Sequence, residues 1–148
     1  MIKISEVQRQ LEDFFKDSGF KYKKLKNKKV DVPIYLLKLN IISEETNEVE
    51  QEINIMITTL SSGNMIIFET LGVYETSDKN FNLEIINDLN SYLLPGKFVI
   101  YDNNSISYRC LLDYEYLDKL YDGILISIID SIPPAYFLLL GKMEKTRK

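Results

Sequence analysis

The chain has 148 residues, of which 45% are hydrophobic and 27% charged, and its 18 basic and 22 acidic side chains give a net charge of −4 at pH 7. That length and composition are typical of one globular domain. The chain contains no histidine, which excludes Ser-His-Asp and Cys-His catalysis and zinc sites built on histidine. The single cysteine, Cys110, cannot close an intramolecular disulfide, so the composition gives no sign of an oxidising compartment.

Nothing in the sequence indicates export or a membrane anchor. The N-terminal residues Met1 to Glu6 become polar at once and lack the apolar run of a secretory signal, which predicts a cytoplasmic protein. The stretch Ile124 to Leu140 is about as long as the shortest membrane spans, but it contains Asp130 and the pair Pro133-Pro134. We therefore expect this stretch to be a buried helix and expect no membrane partner.

The first predicted element is an amphipathic helix. Ser5 is a candidate N-cap, with Gln8 three residues later as in a capping box, and Gly19 ends the helix. The apolar residues of its inner face are Val7, Leu11, Phe14 and Phe15.

After this helix the apolar pattern becomes extended. Phe20 to Lys26 predicts a short, lysine-rich strand. Val32 to Ser43, Val49 to Leu60 and Met65 to Leu71 are rich in Ile, Val and Leu and are separated by polar turns. These three strands are expected to form an antiparallel meander.

The second half of the chain predicts a helix, a hairpin and a further helix. Leu83, Ile86, Leu89 and Leu93 recur at helical spacing after the capping cluster Thr76-Ser77-Asp78, and Pro95-Gly96 stops this helix. Lys97 to Tyr101 and Ile106 to Tyr114 predict a hairpin, with Cys110 in the core row of its second strand.

The final helical region is predicted in two halves, Ile124 to Ile132 and Ala135 to Leu140. The prolines between them lack the amide donor, so they should bend or restart the helix, and Gly141 should end it. The predicted fold class is therefore α+β: helix, antiparallel meander, helix, antiparallel hairpin, and a C-terminal helix packed on one sheet. Residues 1–141 are expected to form a single domain, and residues 142–148 a flexible basic tail.

Basic residues are concentrated in two places. Six lysines lie between Lys21 and Lys29, and four basic residues lie in the tail, which leaves the rest of the chain strongly acidic. Lysines discourage edge-to-edge pairing, so the first segment is the candidate sheet edge, with Lys21, Lys23 and Lys24 as candidate partner contacts. The alternative is anion or nucleic-acid binding through Lys21 to Lys29, since clustered ammonium groups release counterions from phosphates. The acidic remainder of the chain would repel a polyanion, which argues against nucleic acid as the partner.

No motif predicts a catalytic, metal or cofactor site. The glycines occur singly, so no phosphate-cradling loop is present. The densest carboxylates, Asp113, Glu115, Asp118 and Asp122, lack the spacing of a calcium loop. A solvated connection explains them, with acid–base catalysis as the alternative. We expect a protein that is not an enzyme and that needs no cofactor.

Tyrosine is over-represented, with ten residues in the chain. Tyr101, Tyr108 and Tyr116 lie in or just after the predicted hairpin and are candidate anchors for a partner, because tyrosine contributes a large contact area at a modest entropy cost. The alternative is that such rings pack internally with their hydroxyls reaching water.

The predicted order of elements, together with three short motifs, resembles the bacterial YbjN-like family. The motifs are Ile86-Asn87-Asp88-Leu89-Asn90, the strand start Gly96-Lys97-Phe98, and the pair Tyr108-Arg109. Members of this family share the fold of the small type III secretion chaperones. The resemblance implies no catalytic residues. It implies a cytoplasmic, often dimeric binding module that holds extended segments of a partner protein on its sheet or helix surface.

Asn87 and Asn90 lie three residues apart on the second predicted helix. At that spacing their amides share a helical face and can bind strand backbone or each other. We expect both to be structural. The function predicted from the sequence is thus a non-enzymatic protein-binding module with a chaperone or regulatory role, which can also pair as a homodimer.

Overall fold

The computed structural model describes residues 2–27, 30–42, 44–60, 62, 64–71, 79–92 and 94–146. In these residues a six-stranded antiparallel sheet is combined with three helices, which confirms the predicted α+β class. The elements in chain order are α1 (Ile4–Asp17), β1 (Tyr22–Asn27), β2 (Val30–Ile42), β3 (Val49–Leu60), β4 (Met65–Thr70), α2 (Lys79–Leu89), β5 (Lys97–Ile100), β6 (Ile106–Asp113) and α3 (Asp122–Thr146).

The strands are ordered β1-β2-β3-β4-β6-β5, and all neighbours are antiparallel. The predicted meander is β2-β3-β4 and the predicted hairpin is β5-β6, which joins the meander through β6. Asn47, Asn64 and Asn104 lie in the polar connections and have positive φ angles of 57°, 52° and 67°. Asparagine tolerates this left-handed conformation, so these turns form where the sequence predicts them.

One face of the sheet, here called the core face, packs against all three helices. Phe15 of α1 contacts Tyr22 and Tyr35, with ring centroids 5.1 Å and 5.6 Å apart. The hydroxyl oxygen of Ser131 in α3 lies 3.8 Å from the sulfur of Cys110. Asn90, directly after α2, donates a hydrogen bond to the Phe98 carbonyl of β5. Because side chains alternate along a strand, the residues between these core positions point to the opposite face, here called the open face.

The prediction that Ser5 caps the first helix is wrong. The helix begins at Ile4 with Lys3 in the N-cap position and no side-chain cap. The backbone amides of Glu6 and Val7 both donate to the Lys3 carbonyl at 3.0 Å, so the first turn closes one residue earlier than a Ser5 cap requires.

The predicted division of the last helix is also wrong. α3 runs without a break from Asp122 to Thr146 and includes Pro133 and Pro134. Buried residues on both sides, among them Ile129 and Tyr136, let packing carry the helix through the prolines. Residues 142–146, predicted as the start of a flexible basic tail, continue α3. Lys142 pairs with Asp88, and Met143 is buried. Residues 147 and 148 lie outside the described residues.

Candidate functional site

The open face carries a row of uncharged side chains that crosses five strands. The pairing registers align its members in the order Leu25, Ile34, Thr58, Ile67 and Leu111. The two ends are well exposed, Leu25 at 46% and Leu111 at 57%, and the middle members are half-buried. Leu36 and Met56 extend the apolar surface into the next row. A contiguous apolar surface of this kind marks an interaction site in many proteins.

A polar network borders the apolar row at the β4-β6 side. The hydroxyl of Tyr101 donates to the Glu69 carboxylate, and the Arg109 guanidinium donates to the same hydroxyl at 2.7 Å. Arg109 also pairs with Glu69 at 3.3 Å and lies over the Tyr101 ring, 5.7 Å from its centroid. Burial, followed by the hydrogen bond to Glu69, raises the pKa of Tyr101 above its ordinary value. Tyr101 is therefore a neutral donor, fixed in position, with 36% of its surface exposed.

The other two predicted tyrosine anchors differ sharply from each other. Tyr116 is 88% exposed in the connection before α3 and is free to contact a partner. Tyr108 is 1% exposed, so its assignment as a surface anchor is corrected. Its ring packs 5.1 Å from that of Phe98, and its hydroxyl accepts the Gly96 amide at 2.8 Å. The reason is strand alternation, which places Tyr108 in the same core row as Cys110.

The lysine-rich segment forms the outer strand of the sheet, β1. Lys24 pairs with Glu12 of α1 at 3.4 Å and so helps to hold the edge against that helix. Lys21 and Lys23 instead line a shallow concavity of about 310 Å³ on the open face, together with Leu36 and Leu71. Lys28 and Lys29 lie outside the described residues.

A larger recess, here called the edge notch, opens where β2 continues beyond β1. Its volume is about 590 Å³. Its walls come from the α1-β1 turn, β2, β3 and the middle of α3: Gly19, Phe20, Lys21, Lys38, Leu39, Asn40, Ile41, Glu52, Ile129, Asp130 and Pro133. The notch and the open-face concavity adjoin, since Lys21 and Lys38 line both.

The two asparagines of the second predicted helix have different environments: Asn87 lies in α2, and Asn90 directly follows it. The Asn90 amide donates to the Phe98 carbonyl at 3.0 Å, and its oxygen accepts the Phe98 amide at 2.8 Å. These two hydrogen bonds to the Phe98 backbone hold the end of α2 against β5 and give Asn90 a structural role. Asn87 is exposed and shares none of these contacts.

The carboxylates proposed for acid–base chemistry are all exposed: Asp113, Glu115, Asp118 and Asp122. Asp113 accepts the backbone amide of Glu115 at 2.9 Å, which is a turn contact. In the described part of the chain, no three His, Cys, Asp or Glu residues come together in a group that could hold a metal ion.

By length and composition, α3 could cross a membrane. Its segment Asp122–Met143 has a mean hydropathy of 1.8, and 39% of the most apolar window is buried. Ile124, Ile126 and Phe137 are exposed on its outer side. In the structure α3 packs on the core face through residues such as Ile129 and Leu139, so its apolar character also serves the core.

Sequence reasoning missed the pairing of Glu69 with Arg109. Glu69 is the charged residue of β4, and Arg109 lies between Tyr108 and Cys110 in β6. A charged residue within a mainly apolar strand is the signal that could have joined them. It also missed the notch, which depends on strand lengths and on a distant helix. No family model, curated protein or solved structure matches the chain.

Proposed function

We propose that this chain is a non-enzymatic protein-binding module of the YbjN-like class, with a chaperone or regulatory role. The partner would supply an extended, largely apolar segment that lies on the open face. The supporting observation is the uncharged row from Leu25 to Leu111, which crosses five strands without a covering helix among the described residues. Covering it removes apolar surface from water at about 25 cal/mol per Å².

The borders of the row suit a protein segment. The concavities on either side of Leu71 can receive individual side chains, one beside Leu36 and the other beside Tyr101. The fixed hydroxyl and guanidinium of the Tyr101–Arg109 pair are polar groups at the rim, and they lose little freedom on binding because they already contact each other. A second copy of the chain could cover the same row, so the oligomeric state belongs to the test.

The test compares proteins retained by the wild-type chain and by two variants on immobilised columns, using native cytoplasmic extract and mass spectrometry. Leu111→Glu places a charge in the open-face row. Ile126→Glu places the same charge on the outer side of α3, where the side chain is 44% exposed, and is the matched control. Both should leave the free energy of unfolding within about 0.5 kcal/mol, because both sites are exposed.

We expect a partner that the wild type and Ile126→Glu retain and Leu111→Glu loses. Direct cross-linking of that purified partner to Leu111 neighbours should then confirm contact. The proposal would be overturned if the wild type and both variants retained the same proteins. Loss only with Ile126→Glu would move the binding surface to α3. Sedimentation of the purified chain separates a second copy from a different partner.

A further inference from the structure

Among the residues that the structure describes, no strand neighbours the outer edge of β2 beyond Leu37. β1 pairs with β2 from Asn27 opposite Val30 to Tyr22 opposite Leu37, and the chain then leaves the sheet toward α1. β2 continues to Ile42, so Lys38 to Ile42 are paired in the described structure with β3 alone. The outer backbone groups of such a stretch are a template for one more strand.

The edge notch lies along this stretch. On the side that faces the helices, its walls are apolar and come from Phe20, Leu39, Ile41, Ile129 and Pro133. The volume of about 590 Å³ falls in the range of ligand-binding clefts. An apolar side chain from an added strand would enter between the sheet and α3.

The same wall includes a helix segment in which two carbonyls lack their α-helical donors. An α-helical carbonyl accepts the amide four residues later, and prolines have no amide hydrogen. Pro133 and Pro134 therefore leave the carbonyls of Ile129 and Asp130 without their α-helical donors. Ile129, Asp130 and Pro133 all line the notch, so the segment of α3 that carries these carbonyls forms part of its wall.

The charges of the notch are divided between its two sides. Asp130 is exposed and has no salt bridge with any residue that the structure describes. On the open-face side, Lys38 pairs with Glu52 at 3.4 Å, and Lys21 also lines the adjoining concavity. The helix side thus carries an exposed carboxylate, which is complementary to an ammonium or guanidinium group. The carboxylate belongs to the same helix segment as the two carbonyls that lack α-helical donors.

We propose that the edge notch receives a short extended segment of a partner protein, which pairs with Lys38 to Ile42 as an added strand. On its helix-facing side the segment carries an apolar residue and, two residues away, a lysine or arginine that reaches Asp130. The spacing follows from strand geometry, since alternate residues share a face. This inference goes beyond the proposed function, because the edge notch is a site separate from the open-face row.

The test uses a capped, fluorescent peptide in which leucine, lysine and leucine alternate with threonine. One control peptide has glutamate in place of lysine. A second keeps all side chains but has N-methylated amides, so it cannot pair as a strand. By fluorescence anisotropy, we expect the lysine peptide to bind at least about tenfold more tightly than either control.

Three protein variants locate the binding. Asp130→Lys should reverse the preference and favour the glutamate peptide. Asp118→Lys, the matched control at another exposed acid, should change nothing. The double variant Pro133→Ala with Pro134→Ala restores the helical donors, so the helix should become more stable while the lysine peptide binds several-fold more weakly. A merely structural role of the prolines would not weaken binding when stability rises.

Equal binding of the lysine and glutamate peptides, or an unchanged preference in Asp130→Lys, would overturn the inference. So would undiminished binding of the N-methylated peptide. If the peptide tests fail while a partner is still retained in a Leu111-dependent way, the proposed function stands and only the notch inference fails. If partner retention does not depend on Leu111 while the protein still selects the lysine peptide, the notch inference stands and the proposed function fails.

Discussion

The two faces of the sheet are made by the same strands and both carry apolar side chains, yet in the described part of the chain only the core face is covered by helices. On the core face, Tyr35, Leu37, Ile55 and Ile57 are fully buried. On the open face, the alternating positions Ile34, Leu36, Met56 and Ile67 stay half-buried. Apolar side chains on a strand face are therefore not enough to ensure that the face is covered. The helices decide which face is covered, because each brings an apolar stripe to one side only.

The sharpest test of this difference is a pair of matched truncations. Ile57→Ala removes a fully buried side chain from the core face and should lower the free energy of unfolding by about 2–5 kcal/mol. Ile67→Ala removes the same atoms from the open face, where the site is already partly hydrated, and should cost about 1 kcal/mol or less. Urea unfolding followed by circular dichroism measures both.

Similar losses for the two variants would mean that the open face is buried in solution. In that case the loss for Ile67→Ala should shrink as the protein is diluted, since a second copy would be the cover. Independence from concentration would contradict the description of this face as open.

The next largest effect concerns the fastening of α2 to the sheet. Asn90→Ala leaves the amide and the carbonyl of Phe98 without their partners and should cost about 1–3 kcal/mol. Asn87→Ala on the exposed side should change stability by no more than about 0.5 kcal/mol. Hydrogen exchange at the Phe98 amide should accelerate in the first variant only.

Alkaline pH should lower the free energy of unfolding through Tyr35, a buried residue of the core face. Burial, then the nearby charge of Glu12, raises the pKa of Tyr35 above its ordinary value of 10.0, and its hydroxyl donates to Glu12 at 3.2 Å. A raised folded-state pKa means that folding favours the neutral phenol. This contribution is present below pH 10 and is lost as the pH rises through the folded-state pKa.

We therefore expect the free energy of unfolding to fall as the pH is raised above 10, and to fall less in Tyr35→Phe. Tyr116→Phe, at an exposed ring, should retain the wild-type pH dependence. Urea unfolding across this range, with tyrosinate absorbance as the titration readout, measures the difference. An identical dependence in all three proteins would contradict the assignment to Tyr35.

The smallest expected effect is on nucleic-acid binding at the lysine-rich edge. Lys24 is already paired with Glu12, and the net charge of the chain is −4, so a polyanion should gain little. We expect no binding of a single-stranded oligonucleotide by fluorescence anisotropy, even at low salt. Binding that falls steeply with added salt, and is lost in Lys21→Glu/Lys23→Glu, would favour the alternative function.

Much of the sheet could be predicted from the sequence because strand alternation is a local signal. Ile53, Ile55 and Ile57 alternate with more polar residues and do form a core row. The inner face of α2 was less predictable. Leu83, assigned to it, is 38% exposed, and Asn82 is buried with its amide donating to the Asn104 carbonyl at 3.1 Å. That bond joins residues in different elements, so a helical period could not reveal it.

The candidate site shows the same division between local and distant causes. The lysine content of β1 indicated an edge strand, and the structure places it there. The edge notch could not be predicted, because it requires that β2 outlast β1 and that Asp130, far along the chain, lie beside it. The helix α3 continues through its prolines because of tertiary packing, and packing cannot be predicted from local helix propensity.

The outer edge of β2 at Lys38 to Ile42, which pairs with β3 alone among the described residues, also affects whether the protein can form filaments. Exposed strand edges allow folded domains to pair edge to edge and so to grow into fibrils. Here Lys38 to Ile42 lie beside the turn at Gly19 and the flank of α3, so we expect these walls to admit a single strand more readily than the edge of another sheet. The geometry that would admit a peptide would thereby protect the chain from polymerising through the same edge.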